Sequence, residues 1–130
     1  MSKVQPESKC PCGSQNPYPS CCGRWHAGAV APTAEALMRS RYSAFVLRNE
    51  PYLLASWHPS TRPESVSFEP DCVWLGLKVV EAKVLGADQA EVEFIARYRV
   101  GGGSAARLHE RSRFVRDADH WRYLDGAQPG

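Results

Sequence analysis

From Thr33 onward, Ala34, Leu37, Met38, Tyr42 and Phe45 recur at the three-to-four spacing of an amphipathic helix. Pro32-Thr33 marks its start, with Thr33 as N-cap, and Asn49-Glu50-Pro51 stops it. Pro51 then suits the first turn of a second, short helix through Tyr52, Leu53, Leu54 and Trp57. His58-Pro59-Ser60 ends that helix, because the residue before a proline avoids the helical region. Residues 60–71 read as a proline-containing loop.

Beyond residue 71 the period changes from 3.6 to 2. Cys72–Leu85 is apolar and β-branched and closes on Gly86-Ala87-Asp88. In 91–100, Val92, Phe94, Ala96, Tyr98 and Val100 share one face of a strand. Glu91, Glu93, Ile95, Arg97 and Arg99 share the other. Gly101–Ser104 forms a hairpin connection to a strand over 105–116, and Asp117-Ala118-Asp119 turns into a last strand at Trp121–Leu124. Residues 127–130 read as a frayed end. Two helices followed by antiparallel strands on short turns make an α+β domain. Phe45, Trp57, Trp74, Phe94 and Phe114 are its expected core, and Cys72 a buried strand residue.

Ahead of this domain stands a segment of different character. Ala27–Pro32 is small and Pro/Gly-containing and reads as a linker, dividing the chain into 1–28 and 29–130. The first part holds Cys10, Cys12, Cys21 and Cys22, two short ligand pairs across one turn-forming loop. Soft thiolates at such spacing suit tetrahedral zinc, with Zn–S near ~2.3 Å. So small a segment buries too little apolar surface to fold alone, and a metal supplies the missing free energy. Structural disulfides fit less well, because Met1–Lys9 has no apolar signal-peptide core and Cys10–Cys12 and Cys21–Cys22 are too close for unstrained bridges. An iron–sulfur cluster takes the same ligand type, so zinc and iron both stay open. Adjacent Cys21 and Cys22 crowd one ion, which leaves His26 as an alternate for the fourth place. Four protein ligands leave no position for a reactive water, so one structural zinc per chain is expected rather than a catalytic one. Lys9 and Arg24 stand where they offset thiolate charge, as do backbone N–H groups near Gly13 and Gly23.

The run CPCGSQNPYPSCCG resembles the SEC-C motif, the small zinc-binding element found at the end of the SecA translocation ATPase and in many other bacterial proteins. The resemblance makes Cys10, Cys12, Cys21 and Cys22 the ligands; the last is usually histidine in SecA. The motif's usual Gly-Lys pair and the further lysine before the second ligand pair are replaced here by Gln15, Asn16 and Pro19, which removes the basic surface through which such motifs meet ribosomes or acidic chaperones. ALMRSRYSAFVLRNEPYLLASWHPSTRP with RLHERSRFVRDADHWRYLDG is similar to the YchJ-type family of small bacterial SEC-C proteins. That resemblance implies a nuclear transport factor 2-like domain, in which helices lie across a curved antiparallel sheet and form a cone. It implies no reaction.

The chain carries 16 basic and 14 acidic residues and a net charge of +2, which disfavours a nucleic-acid binder driven by phosphate contacts. No apolar run reaches the roughly 20 residues of a membrane span. A cytoplasmic protein, monomeric or homodimeric, is expected. Two functions compete. One is a non-enzymatic zinc-binding adaptor that meets a protein partner, such as the ribosome or the export machinery, through Tyr18, Arg24 and Trp25. Trp25 has an alternative role in stapling the knuckle to the main domain. The other is a small enzyme or ligand-binding protein with a cone pocket walled by Tyr42, Trp57, His58, Glu93, Arg97 and His109. His58 doubles as a loop anchor, and Glu93, Arg97, Arg99, Arg111 and Arg113 double as cross-strand ion pairs on a solvated face. Arg41 borders the apolar stripe and reaches toward the cone.

Overall fold

The computed structural model describes residues 9–128. The expectations for 1–8 and for the last two residues lie outside that range. A 3-10 turn at Tyr18–Ser20 and a short helix α1, Cys22–His26, form the knuckle with the loop before them. Helix α2 spans Ala34–Leu47 and helix α3 Glu50–Ala55. Four strands follow: β1 Cys72–Val84, β2 Gln89–Val100, β3 Ala106–Asp117 and β4 His120–Ala127. They pair in chain order as one antiparallel sheet. Among the described residues no helix is long and apolar enough to cross a membrane.

Local chemistry accounts for the helix ends. Thr33 Oγ1 accepts from Ala36 N–H at 3.0 Å, and Arg48 closes α2 in the left-handed conformation. The Asn49 side chain accepts from Tyr52 N–H at 3.2 Å, with Pro51 in the first turn of α3. Helix α3 ends at Ala55, two residues short of Trp57, because the sheet recruits the chain that follows. Trp57 bridges Tyr123 in parallel, Tyr123 N–H donates to Ser56 O, and His58 N–H donates to Tyr123 O. This segment covers the outer edge of β4.

β2 and β3 pair in unbroken register, Glu93 opposite Arg111 and Phe94 opposite Glu110. β1 is irregular at Leu75 and Val80, and β4 at Leu124. Each extra residue bends its strand and increases local twist. On one face of the sheet α2 lays Leu37, Met38 and Tyr42 against Ala90, Val92, Phe94, Ala96, Phe114 and Trp121. Phe94 and Phe114 are buried as expected; Phe45, Trp57, Trp74 and Cys72 are only partly covered. β4 runs through Ala127, so the predicted fraying at 127 does not occur.

Candidate metal centre

The four cysteines come together by loop geometry and one helical turn. Cys10 N–H donates to Asn16 O at 2.8 Å and Gly13 N–H to Cys10 O at 3.2 Å, curling the first pair inward. Gly13 makes that curl at φ 85°, a conformation open to glycine. Cys21 N–H donates to Tyr18 O, which closes the 3-10 turn and delivers Cys21 and Cys22 to the same point. The four Sγ atoms lie within 4.8 Å of one another, with Cys12 and Cys21 at 3.7 Å. A tetrahedral ion with ligands at ~2.3 Å needs S···S edges of about 3.8 Å, so the donor set fits such an ion. All four cysteines are buried.

Proton sharing within the cluster carries the same message. Contacts from Cys12, then Cys22, outweigh burial and hold the Cys10 thiol down at about 3. Contacts with Cys10 and Cys12, reinforced by burial, push Cys22 far above the ordinary thiol range. Four thiols this close resist joint ionisation, and a bound cation removes that conflict.

The supporting contacts differ from those expected. Hydroxyls serve the sulfurs: Ser14 Oγ lies 3.0 Å from Cys21 Sγ, and Ser43 Oγ 3.4 Å from Cys10 Sγ. Lys9 instead bonds Gln15, and Arg24 bonds Cys21 O while stacking 4.3 Å over the Trp25 ring. The cation nearest in role is Arg39, which donates to Cys12 O at 2.9 Å and pairs with Glu35. Arg39, Ser40 and Ser43 make one side of α2 a seat for the knuckle, while Met38, Arg41, Tyr42 and Phe45 line the opposite side. Ser40 and Ser43, two hydroxyl residues three apart beside Arg39 on α2, were the sequence signal for that seat.

His26 is not placed as a ligand. Its Nε2 faces Ser40 O at 2.8 Å, which accepts only, so Nε2 carries the proton; Nδ1 accepts from Tyr18 Oη at 2.6 Å. Both ring nitrogens are thus committed, and Cys22 supplies the fourth sulfur. Tyr18 is held by this bond and by the His26 ring at 5.6 Å. Trp25 packs against both the cysteine cluster and the main core, as a staple does. Of the three expected partner contacts, Arg24 is the exposed one.

The expected cone pocket divides. Tyr42 and Trp57 line a cavity of about 230 Å³ between α2 and the sheet. Burial pushes the Tyr42 hydroxyl up to about 12. Glu93, Arg97 and His109 lie on the opposite face of the sheet, because they have the strand parity opposite to Phe94 and Glu110. There His109 Nε2 meets Glu93 Oε2 at 2.6 Å, and Arg111 joins Glu81, Glu91 and Glu93. His109, with help from Arg111, holds the Glu93 carboxyl below its usual range. Arg97 is exposed, and Arg113 pairs with Asp125. This face is the solvated ion-pair network. His58 anchors a turn, its Nδ1 accepting from Ser60 N–H at 3.1 Å. Arg41, expected to reach toward the cone, does line the cavity, and of the strand neighbours His109 and Glu110, which point to opposite faces, Glu110 is the one turned inward; Tyr123 completes the lining without having been expected there.

Comparison with known proteins agrees with this architecture. The pattern described as YchJ, middle NTF2-like domain, matches residues 33–126. A UPF0225 protein from Xanthomonas campestris pv. campestris is 59% identical over 127 residues, covering 96% of this chain and 98% of its own length. The solution structure of a SEC-C motif containing protein from Rhodopseudomonas palustris superposes with a TM-score of 0.84 at 32% identity, over 94% of this chain and 99% of the other. The crystal structure of a SEC-C motif containing protein from Psychrobacter arcticus gives 0.80 at 29% identity, over 95% and 84%. With a four-cysteine knuckle seated on a nuclear transport factor 2-like domain, this chain belongs to the YchJ-type family of SEC-C motif proteins, the UPF0225 family.

Proposed function

We propose that this protein is a zinc-binding interaction protein whose metal is structural, with Cys10, Cys12, Cys21 and Cys22 as ligands. The carrying observation is the closed donor set: four buried thiols meet at one point. A fully protein-ligated zinc has no place for a reactive water, so the metal organises and does not catalyse. In this reading it fixes the loop from Gly13 to Ser20 and presents Arg24 beside it to a protein partner. The SEC-C resemblance points to the ribosome or the export machinery, met here through Arg24 in place of the motif's usual lysines, and thiols free of disulfides suit the reducing cytoplasm.

Elemental analysis of protein expressed in the cytosol tests the metal half. One zinc per chain, lost in Cys12→Ser, is the expected result; a metal-free or iron-loaded protein overturns it. Co-sedimentation with ribosomes tests the partner half. Binding that disappears in Arg24→Glu supports the docking surface, and absence of co-sedimentation at low salt removes the ribosome as partner.

A further inference from the structure

The cavity beneath α2 has a polar end that the protein leaves incomplete. Arg41 projects into it from α2 and is 6% exposed. Its Nη1 donates to Leu53 O at 2.9 Å and Ser56 Oγ at 2.6 Å, which locks the guanidinium in place. The group lies against two aromatic rings set edge-to-face, 4.3 Å from the Tyr123 centroid and 4.8 Å from that of Trp57. Among the described residues, neither Nε nor Nη2 has a hydrogen-bond partner, and no carboxylate lies within 4.0 Å. Buried charges are ordinarily paired, so this arginine is a cation held ready for an anion.

A second observation points to the same place. Trp57 Nε1 is the one buried side-chain N or O atom among the described residues without a partner, and Trp57 lines the same cavity against Arg41. A buried donor left unmade is costly, so such an atom calls for an acceptor. Glu110 stands on the cavity wall as well. Its Oε2 accepts from Ser112 Oγ at 2.7 Å and lies 3.5 Å from Tyr123 Oη, while Oε1 has no hydrogen-bond partner among the described residues. The rest of the lining is apolar and largely aromatic, Phe94 and Phe114 included.

We propose that this cavity is a binding site for a small monocyclic carboxylic acid carrying a hydroxyl group. The ligand carboxylate accepts from Arg41 and Trp57 Nε1, the ring lies among the aromatic side chains, and the hydroxyl donates to Glu110. A volume of about 230 Å³ is below the ~300–1,000 Å³ of drug-sized sites, which limits the occupant to one ring. The Glu110 carboxylate disfavours a second acidic group on the ligand. This site is separate from the metal centre, and its test is independent of the zinc reading.

The test titrates the full, metal-loaded chain with 4-hydroxybenzoate, benzoate and 4-hydroxybenzamide by calorimetry and by amide chemical shifts. The expected result is saturable binding of 4-hydroxybenzoate, with shifts confined to residues around Arg41, Trp57, Glu110 and Tyr123. Benzamide-type and hydroxyl-free analogues bind more weakly, the amide by about tenfold or more because the charge-assisted bonds to Arg41 are lost. Trp57→Phe keeps the ring and removes the donor, so it weakens 4-hydroxybenzoate without unfolding the chain. Arg41→Met abolishes binding; since it also removes two structural bonds, Glu110→Gln serves beside it and selectively reduces the preference for 4-hydroxybenzoate over benzoate. No binding at millimolar concentration overturns the proposal. Equal binding of acid and amide, or shifts elsewhere on the protein, overturns it too.

Discussion

Replacing His26 by phenylalanine separates a bridging histidine from a metal ligand. Phenylalanine keeps an aromatic ring between Tyr18 and Tyr52, whose centroids lie 5.6 and 4.6 Å from that of His26. It removes the donor to Ser40 O and the acceptor from Tyr18 Oη. Two hydrogen bonds are worth about 1 kcal/mol each, and the half-buried Tyr18 hydroxyl regains water, so the expected loss is about 1–2 kcal/mol. For a domain of this size that lowers Tm by about 3–8 °C. Metal content stays equal to that of the wild type. The variant also changes the pH profile. Burial, only partly offset by the Ser40 carbonyl, holds His26 below its usual pKa of 6.5. A depressed histidine stays neutral in the fold while the unfolded chain takes up a proton. Stability from this group is therefore complete above pH ~6.5 and declines as pH falls toward the folded value. The gap between wild type and His26→Phe is then widest above pH ~6.5 and narrows below it. Calorimetric melting from pH 5.5 to 8, with elemental analysis at each point, checks both parts. Loss of metal in the variant, or a gap that widens in acid, refutes the reasoning.

Gly23→Ala tests the closeness of the knuckle without touching a sulfur. A methyl at this position falls 2.7 Å from Tyr18 O, a backbone atom that cannot swing aside. Alanine is the better helix former by about 1 kcal/mol, yet overpacking costs about 1–3 kcal/mol, so metal affinity against a chromophoric chelator falls; unchanged or tighter binding counts against the contact. Glu93→Gln tests the outer face. The wild-type carboxyl is held below 4.5, so its contribution is present above that pH and fades as pH falls through the folded value. Urea midpoints of the two proteins differ at pH 7 and draw together as pH is lowered beneath the ordinary carboxylate range; divergence in acid rules the ion-pair account out.

Much of this was legible in the residues because short-range rules govern it. The cysteine pairs, the Thr33 cap and the alternation of Val92, Phe94 and Ala96 each rest on spacing alone. The cavity walls were legible only in part: Tyr42 and Trp57 line it, but Glu93 and Arg97 do not, although their parity already set them opposite Phe94. Their charge suggested chemistry, but charge on the solvent face is what an antiparallel sheet needs for its exposed side. Which of His109 and Glu110 turns inward depends on register with β2, a long-range property. The capture of Ser56–His58 by β4 likewise joins residues far apart in sequence, so the helical reading through Trp57 had nothing to oppose it. Arg41 was placed near the cone, but its pairing with Leu53 O and the orphaned Trp57 N–H needed coordinates.

The seat of the knuckle has a consequence for how the chain is made. Cys10 to Cys22 leave the ribosome first, whereas Ser43 and Leu77, which pack against them, follow later. Leu77 lies about fifty residues behind Cys22, a delay of about 3–10 s at ordinary synthesis rates. Throughout that interval the thiols face the cell without their hydroxyl partner or their apolar cover. A thiol waiting for a metal is also open to oxidants and to competing ions. The nascent chain therefore has a window in which the supply of metal ions, more than the stability of the finished fold, decides which cation is sealed inside.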